Sequence, residues 1–478
     1  MPDGLGPATL LIIEWSFNLV AVPFIILRQR GRPAHTVAWI AVVLAVPILG
    51  LLLYLLVGEV RLGRKRIARY RQIVARIHSR AAPLKYVERP EIDLRFQPIA
   101  TLAEAVGQTE SRGGNELQLI GDTDLFIQSL VEDIDAAEHH CHLEYYIYMT
   151  DHSSRRVGEA LSRAAQRGVA CRLLVDAVGS RSFLGSSLHN AMIDAGVRIV
   201  AALPAKFIRV LLSRIDLRNH RKIAVIDGRI GYMGSQNIVD AEFAIKKRFA
   251  PWIDTSVRSV GPIVRDLQRL FVEDWYLDTD ESLEEVLAIE PPWSDQGVVA
   301  QVIGTGPTAY IDALHQLVQA AIHAAREEII LVTPYFVPDD ATVTALCTVA
   351  HRGVETHVVL PRRTDAPIVS LAGRGHYERI LKADVRLFEF TRGMLHSKTM
   401  TIDRDLAIIS TANFDRRSFD LNFEVSMVVF DSDFASQLRF LQRSYESDSE
   451  MVTLADWARK PWTARLIYNT AGLFGPLL

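Results

Sequence analysis

The same short pattern occurs twice in this chain. His220-Arg-Lys222 leads to Ile226-Asp227, and His396-Ser-Lys398 leads to Ile402-Asp403. Asn237 stands at the same offset from His220 as Asn413 does from His396. Two further matches run in the same order: AQRGV at 165–169 with AHRGV at 350–354, and AGVR at 195–198 with ADVR at 383–386. Collinear matches of this kind mark one duplicated domain, since a solenoid needs three or more units. The fold must therefore be built twice and must bring two copies of one chemical pattern into play.

Each copy alternates between two hydrophobic periods. In the first, 125–138 and 157–167 have helical spacing, while 141–148 and 171–176 are short apolar runs. In the second, 310–326 and 341–351 are helical, and 328–333 and 355–360 are the runs. Apolar runs of this length between helices predict βα units, with a sheet covered on both faces. Near each His-Lys-Asp set, 223–226 and 407–409 predict strands. Asp227-Gly228 and Asp403-Arg404-Asp405 predict the turns. The copies differ in one place: the stretch from Arg198 to His220 is more than twice as long as that from Arg386 to His396. The extra length falls in 204–217, an apolar and basic stretch suited either to a bilayer interface or to a short helix on the core.

Residues two apart on a strand point to one side. His220 with Lys222, and His396 with Lys398, thus each aim an imidazole and an ammonium at one point. If the copies pack about a pseudo-two-fold axis, all four groups converge. That set suits phosphoryl transfer without a metal. The ammonium groups neutralise the phosphate oxygens, one imidazole attacks phosphorus, and the other gives a proton to the leaving alcohol. Asn237 and Asn413 can donate amide hydrogens to the same oxygens. A single His-x-Lys would mean little; two at matched offsets are specific.

His-x-Lys-x₄-Asp with a downstream Asn, present twice, resembles the phospholipase D superfamily. RNHRKIAVIDG at 218–228, PYFVPD at 334–339 and GMLHSKTMTID at 393–403 resemble its bacterial cardiolipin synthases, as does the closing Pro-Leu-Leu. The resemblance covers essentially the whole chain. It implies an α/β fold: two pseudo-symmetric phospholipase D-like domains behind an N-terminal transmembrane helical pair. It also implies a phosphatidyltransferase that joins two phosphatidylglycerols into cardiolipin and glycerol, ping-pong, through a phosphohistidine. The implied catalytic set is His220, Lys222, Asp227, His396, Lys398 and Asp403. The aspartates are supporting, and His220 is the nucleophile by family analogy. Separate acids would orient the histidines, with Asp254 and Glu424 as candidates. One departure is Ser410-Thr-Ala-Asn413, where the family has glycine first, as in Gly234-Ser-Gln-Asn237. The added Cβ predicts a backbone that approaches the phosphate less closely. No cofactor or metal is implied. The implied partners are phosphatidylglycerol and cardiolipin in the membrane, not nucleic acid, with a homo-oligomer left open.

The total charge is close to neutral, 53 Lys and Arg against 56 Asp and Glu. This excludes a polyelectrolyte or a histone-like wrapper and argues against a nuclease. The mean hydropathy is nonetheless +0.13, and the excess sits early. Residues 4–27 carry one charge, Glu14, and 36–58 carry none. Each is long enough to cross a bilayer as a helix. The start of the chain contains Asp3 and no Lys or Arg, against a cleaved signal peptide. Arginines at 28, 30 and 32 lie between the segments, and a longer basic run follows at 61–80. That bias predicts a multi-pass protein of the bacterial cytoplasmic membrane with its body in the cytoplasm, and a collar that attracts anionic headgroups. The expected boundaries are 1–60 for the membrane pair, 61–113 for a basic linker, 114–290 and 291–445 for the two domains, and 446–478 for an amphipathic tail.

The other motifs carry less. Cys141, Cys171 and Cys347 are expected as reduced thiols. In His139-His140-Cys141-His142 only His140 and His142 share a strand face, too few for a structural zinc. Tyr145, Tyr146 and Tyr148 read as core and rim. Trp457, Arg459, Lys460, Trp462 and Arg465 suit a membrane interface or a packed tail. Readings in other classes are a phospholipase D hydrolase, a serine-accepting phosphatidyltransferase, and an anionic-lipid-binding scaffold with a dead site.

Overall fold

The computed structural model describes residues 7–28, 33–58, 64–80, 90–203, 217–242, 244–308 and 312–473. Most of the 204–217 insertion lies outside them. The chain divides into a helical N-terminal unit and a main unit that begins at residue 65.

The N-terminal unit has a helix Pro7–Leu27 and a second helix Pro33–Ala45. The second apolar segment, expected as one span over 36–58, is interrupted. Val46 is extended, Pro47 starts a new helix Pro47–Leu53, and Tyr54–Gly58 forms a π turn. Proline has no N–H to continue the ladder, and its ring biases the residue before it away from helix. Among the described residues no helix is long and apolar enough to cross a membrane. The unit has its own small core of Ala21, Ile25, Trp39, Val43 and Tyr54. Trp39 and Tyr54 meet edge-on at 5.6 Å. Outside that core, Trp15, Leu19, Val37, Leu44 and Ile48 are exposed.

The main unit is a sheet of fifteen strands built from the two halves. They meet where Arg112–Ile120 runs antiparallel to Val298–Thr305, Arg112 opposite Ala300 and Asn115 opposite Val298. Outward from that seam the first half runs Ser256–Val260, Ile230–Gly234, Lys222–Ile226, His140–Tyr145, Ala170–Asp176 and Arg198–Ala202. The second half runs Glu424–Phe430, Leu406–Ser410, Thr399–Ile402, Glu328–Val332, Glu355–Pro361 and Arg386–Phe390. The order is the same, so the seam is a pseudo-two-fold axis. Buried Asn115 secures it: its amide donates to the Arg112 and Val298 carbonyls, and its Oδ1 accepts from the Ile263 N–H at the start of helix Ile263–Thr279.

That helix and Ser432–Ser447 cover one face, where Leu267, Leu270, Phe434 and Leu438 close over residues of both halves. Helices such as Thr123–Asp135 and Ala313–Ala324 cover the other. The hairpins turn through Asp227 and Gly228 in one half, and Asp403 and Arg404 in the other, all at positive φ. Two such residues in succession match the strand twist.

The described residues of 61–113 include two packed helices. Helix Gln97–Gly107 buries Phe96, Ile99 and Ala103 in the core of the second half. In helix Arg64–Arg80, Ile73 and Ile77 pack with Phe271 and Trp275. Of the basic collar, Arg66, Arg69 and Arg76 face Asp278, Asp280 and Glu284 of the body. The expected tail begins as an edge strand, Ser449–Val452, beside Arg386–Phe390.

Candidate active site

Each histidine sits just before a sheet strand, on a segment borrowed by the opposite half. The His220 N–H donates to the Phe423 carbonyl at 2.9 Å, and Phe423 N–H returns a bond to Arg218. The His396 N–H donates to the Ile253 carbonyl at 2.7 Å, and Met394–Leu395 runs parallel to Trp252–Ile253. These pairings bring the next residue of the borrowed segment under each ring. The acids are therefore exchanged. His220 Nδ1 lies 2.9 Å from Glu424 of the second half, and His396 Nδ1 lies 2.7 Å from Asp254 of the first. Asp254 and Glu424 thus stand where they can orient the imidazoles. A carboxylate on Nδ1 leaves the other ring nitrogen, Nε2, free to act.

Each acid is gripped by a hydroxyl of its own half. Ser235 Oγ donates to Asp254 at 2.5 Å, and Thr411 Oγ1 donates to Glu424 at 2.5 Å. Asn422 adds a bond to Glu424 at 3.2 Å. Lys222 and Lys398 each donate to the carbonyl of their own histidine at 2.7 Å. Tyr146 lies edge-on to His220 and Trp252 edge-on to His396, both at 4.9 Å.

The site's side chains are buried, and their proton affinities follow. Burial pushes His220 down to about 4, against the pull of Glu424. Burial and Lys398 do the same to His396, also about 4, against Asp254. Burial lowers Lys222 to about 7 and Lys398 to about 8, although Glu424 and Asp254 oppose it. Burial disfavours ionised Asp254, yet His396, Lys398 and Ser235 hold it down to about 2. Glu424 is lowered too, because His220, Lys222 and Thr411 outweigh its burial. Two imidazoles thus face two carboxylates and two ammonium groups, and burial disfavours the charge on each ring and each lysine. Such a set is poised for nucleophilic attack and proton transfer.

Asn237 and Asn413 are both buried but are held differently. Asn237 Oδ1 accepts from the Ile147 N–H at 3.0 Å, which fixes the amide. Asn413 Oδ1 is buried and has no hydrogen-bond partner among the described residues. Asp227 and Asp403 lie away from the two rings. Asp227 lies beyond the far end of the strand that Lys222 begins, about 16 Å away along an extended chain. Its carboxylate accepts from the N–H groups of Glu138, His139 and His140, all at 2.8 Å. Asp403 accepts from Arg326, Glu327 and Glu328 at 2.8–2.9 Å and pairs with Arg95. Each staples its hairpin to the start of the neighbouring strand.

Ser410 and Gly234 are held differently. A Cβ on Gly234 would lie 2.4 Å from the Thr255 carbonyl. Ser410 instead turns its Oγ into the sheet, toward Ser426 Oγ at 2.8 Å and the Ala412 N–H at 2.9 Å. The substitution is absorbed behind the site. His140 and His142 share a face and a partner, Gln268, and burial lowers both. Among the described residues no cluster could hold a metal. Tyr145 and Tyr148 are core residues.

Several residues were missed in the sequence. Ser235 and Thr411 could have been found, since the two stand at equal offsets from their histidines. Arg221 offered no such signal. It is buried, pairs with Asp274 at 2.6 Å, and donates to the Glu424 carbonyl at 3.1 Å. At the site's edge Asp365 accepts from Tyr335 Oη and Lys246 Nζ.

Known proteins match this chain along nearly its whole length. The family model "Cardiolipin synthase, PLD-like domain" matches residues 130–275 and 318–442, the two halves of the sheet. "Cardiolipin synthase A" of Serratia proteamaculans is 34% identical over 476 residues, 98% of each chain. The chain belongs to the cardiolipin synthase family of phospholipase D-like proteins. "Cardiolipin synthase A" of Erwinia tasmaniensis is also 34% identical, over 479 residues and 98% of each chain. The model "Phospholipase D-nuclease N-terminal" matches residues 16–59, the apolar unit. Among solved structures, phosphatidylserine synthase from Haemophilus influenzae superposes with a TM-score of 0.61 at 11% identity, covering 80% of this chain and all of that one. That likeness is one of fold.

Proposed function

We propose that this cardiolipin synthase family member transfers a phosphatidyl group from one phosphatidylglycerol to another, giving cardiolipin and glycerol. The observation that carries the reading is the exchange of acids: two imidazoles, each held at Nδ1 by the other half's carboxylate, with a lysine beside each. In the first step His220 Nε2 attacks phosphorus. The His396 imidazolium, favoured by Asp254 and the incoming phosphodiester anion, protonates the departing glycerol oxygen. Lys222, Lys398 and the two asparagines stabilise the charge on the phosphoryl oxygens. In the second step neutral His396 takes the proton from a hydroxyl of a second phosphatidylglycerol. That oxygen attacks the phosphohistidine and releases His220.

The apolar N-terminal unit seats in the bacterial cytoplasmic membrane as a helical pair, with the body on the cytoplasmic side. Exposed Trp15, Leu19, Val37, Leu44 and Ile48 support that reading, as do the arginines after it. The test is full-length protein in phosphatidylglycerol vesicles with a chelator of divalent metals. Cardiolipin and glycerol should appear in equal amounts. Phosphatidic acid as the sole product would assign hydrolysis instead, and bound lipid without product would assign a scaffold.

A further inference from the structure

The C-terminal helix Trp462–Gly472 is apolar on two opposite sides. At about 100° per residue, Ala464, Tyr468 and Ala471 fall on one side, and Trp462, Leu466 and Leu473 on the other. The first side is used by the body. Tyr468 stacks on Trp457 with centroids 5.4 Å apart, and Ala471 packs with Val337 and Ala372. The second side stands in solvent: Trp462 is 73% exposed, Leu466 56% and Leu473 79%. A helix that buries one apolar stripe and leaves a second outside has a surface still to cover.

Charge and position identify what covers it. Lys460 and Arg465 are exposed along the same stretch, Arg459 beside them is paired with Asp456 at 3.2 Å, and residues 457–473 contain no acid. A basic rim around an apolar stripe fits an anionic lipid surface. The helix is also tied to the edge of the site. It packs on Pro367–Arg374, where Gly373 lies so close to the strand Phe336–Val337 that a Cβ would come within 2.2 Å of the Phe336 carbonyl. Asp365, just before that helix, holds Tyr335 and Lys246 and is within electrostatic reach of His396 and Lys398.

We propose that Trp462, Leu466 and Leu473, rimmed by Lys460 and Arg465, form an interfacial docking face that seats the catalytic body on an anionic leaflet. Membrane attachment by the N-terminal unit only tethers the body; this face presents the site to the headgroups. The proposal rests on the phosphatidyl-transfer reading for its substrate.

The experiment compares full-length wild type with a Trp462→Glu/Leu466→Glu variant on two substrates. One is phosphatidylglycerol in vesicles; the other is a short-chain phosphatidylglycerol kept monomeric in solution. The variant should lose at least tenfold on vesicles and stay within twofold of wild type on the monomer. A Trp462→Phe/Leu466→Met variant should restore the vesicle rate. Equal losses on both substrates, or no loss on vesicles, would overturn the docking face. So would a change of oligomeric state that tracks the loss, which would assign the face to a second copy. A wild type inactive on both substrates would instead strike the phosphatidyl-transfer reading itself.

Discussion

At the scale of single residues the site separates groups that react from groups that hold them. His220→Ala or His396→Ala should each lower kcat by several orders of magnitude. Asp254→Asn and Glu424→Gln leave each ring without its anionic partner and should cost about 10²- to 10⁴-fold, measured as cardiolipin formed from vesicles. Asp403→Ala is expected to behave differently. It removes three backbone bonds to a buried carboxylate, worth about 2–3 kcal/mol together in denaturant unfolding. The kcat of the folded fraction should change little; a loss like that of His396→Ala would return Asp403 to the chemistry. The pH profile follows from burial. As pH falls through about 4, the attacking His220 gains a proton and kcat/KM drops; above about 4 the free enzyme must take up the His396 proton as substrate binds, so kcat/KM declines with rising pH. As pH rises through about 7 to 8, Lys222 and Lys398 lose their charge and kcat/KM drops further.

At the scale of elements the sequence was legible where a signal is local. The helices and strands between positions 123 and 176, and between 313 and 361, formed close to their expected bounds, because each carries its own hydrophobic period. Three signals were not local. The span expected over 36–58 broke at Pro47, where one missing N–H outweighs continuous apolarity. Helix Gln97–Gly107 reads as linker because its partners, among them Ile303, Leu317 and Ile322, lie far along the chain in the second half. The acids could be named only as candidates. Asp254 and Glu424 follow the motifs of their own halves at unequal distances, and each serves the other half's ring. One helix contact is open to direct test. Gly373→Ala would force Pro367–Arg374 off the Phe336 carbonyl. It should destabilise the fold by about 1–3 kcal/mol, read as a lowered denaturation midpoint.

At the scale of the whole molecule the duplication explains why one chain needs both halves. The sheet is continuous through the pairing of Arg112–Ile120 with Val298–Thr305, and the exchanged acids mean that neither half holds a complete histidine–carboxylate pair. The two histidines should therefore act as one unit. A His220→Ala/His396→Ala double variant should be hardly worse than either single variant, rather than showing the product of two losses. The most direct measurement is to trap the intermediate. His396→Asn enzyme is incubated with phosphatidylglycerol, quenched in alkali where phosphohistidine survives, and its peptides are weighed. The account predicts a phosphatidyl adduct on His220, and none in the reciprocal His220→Asn enzyme. Cardiolipin made at the wild-type rate by either variant, or the adduct on His396 alone, would contradict it.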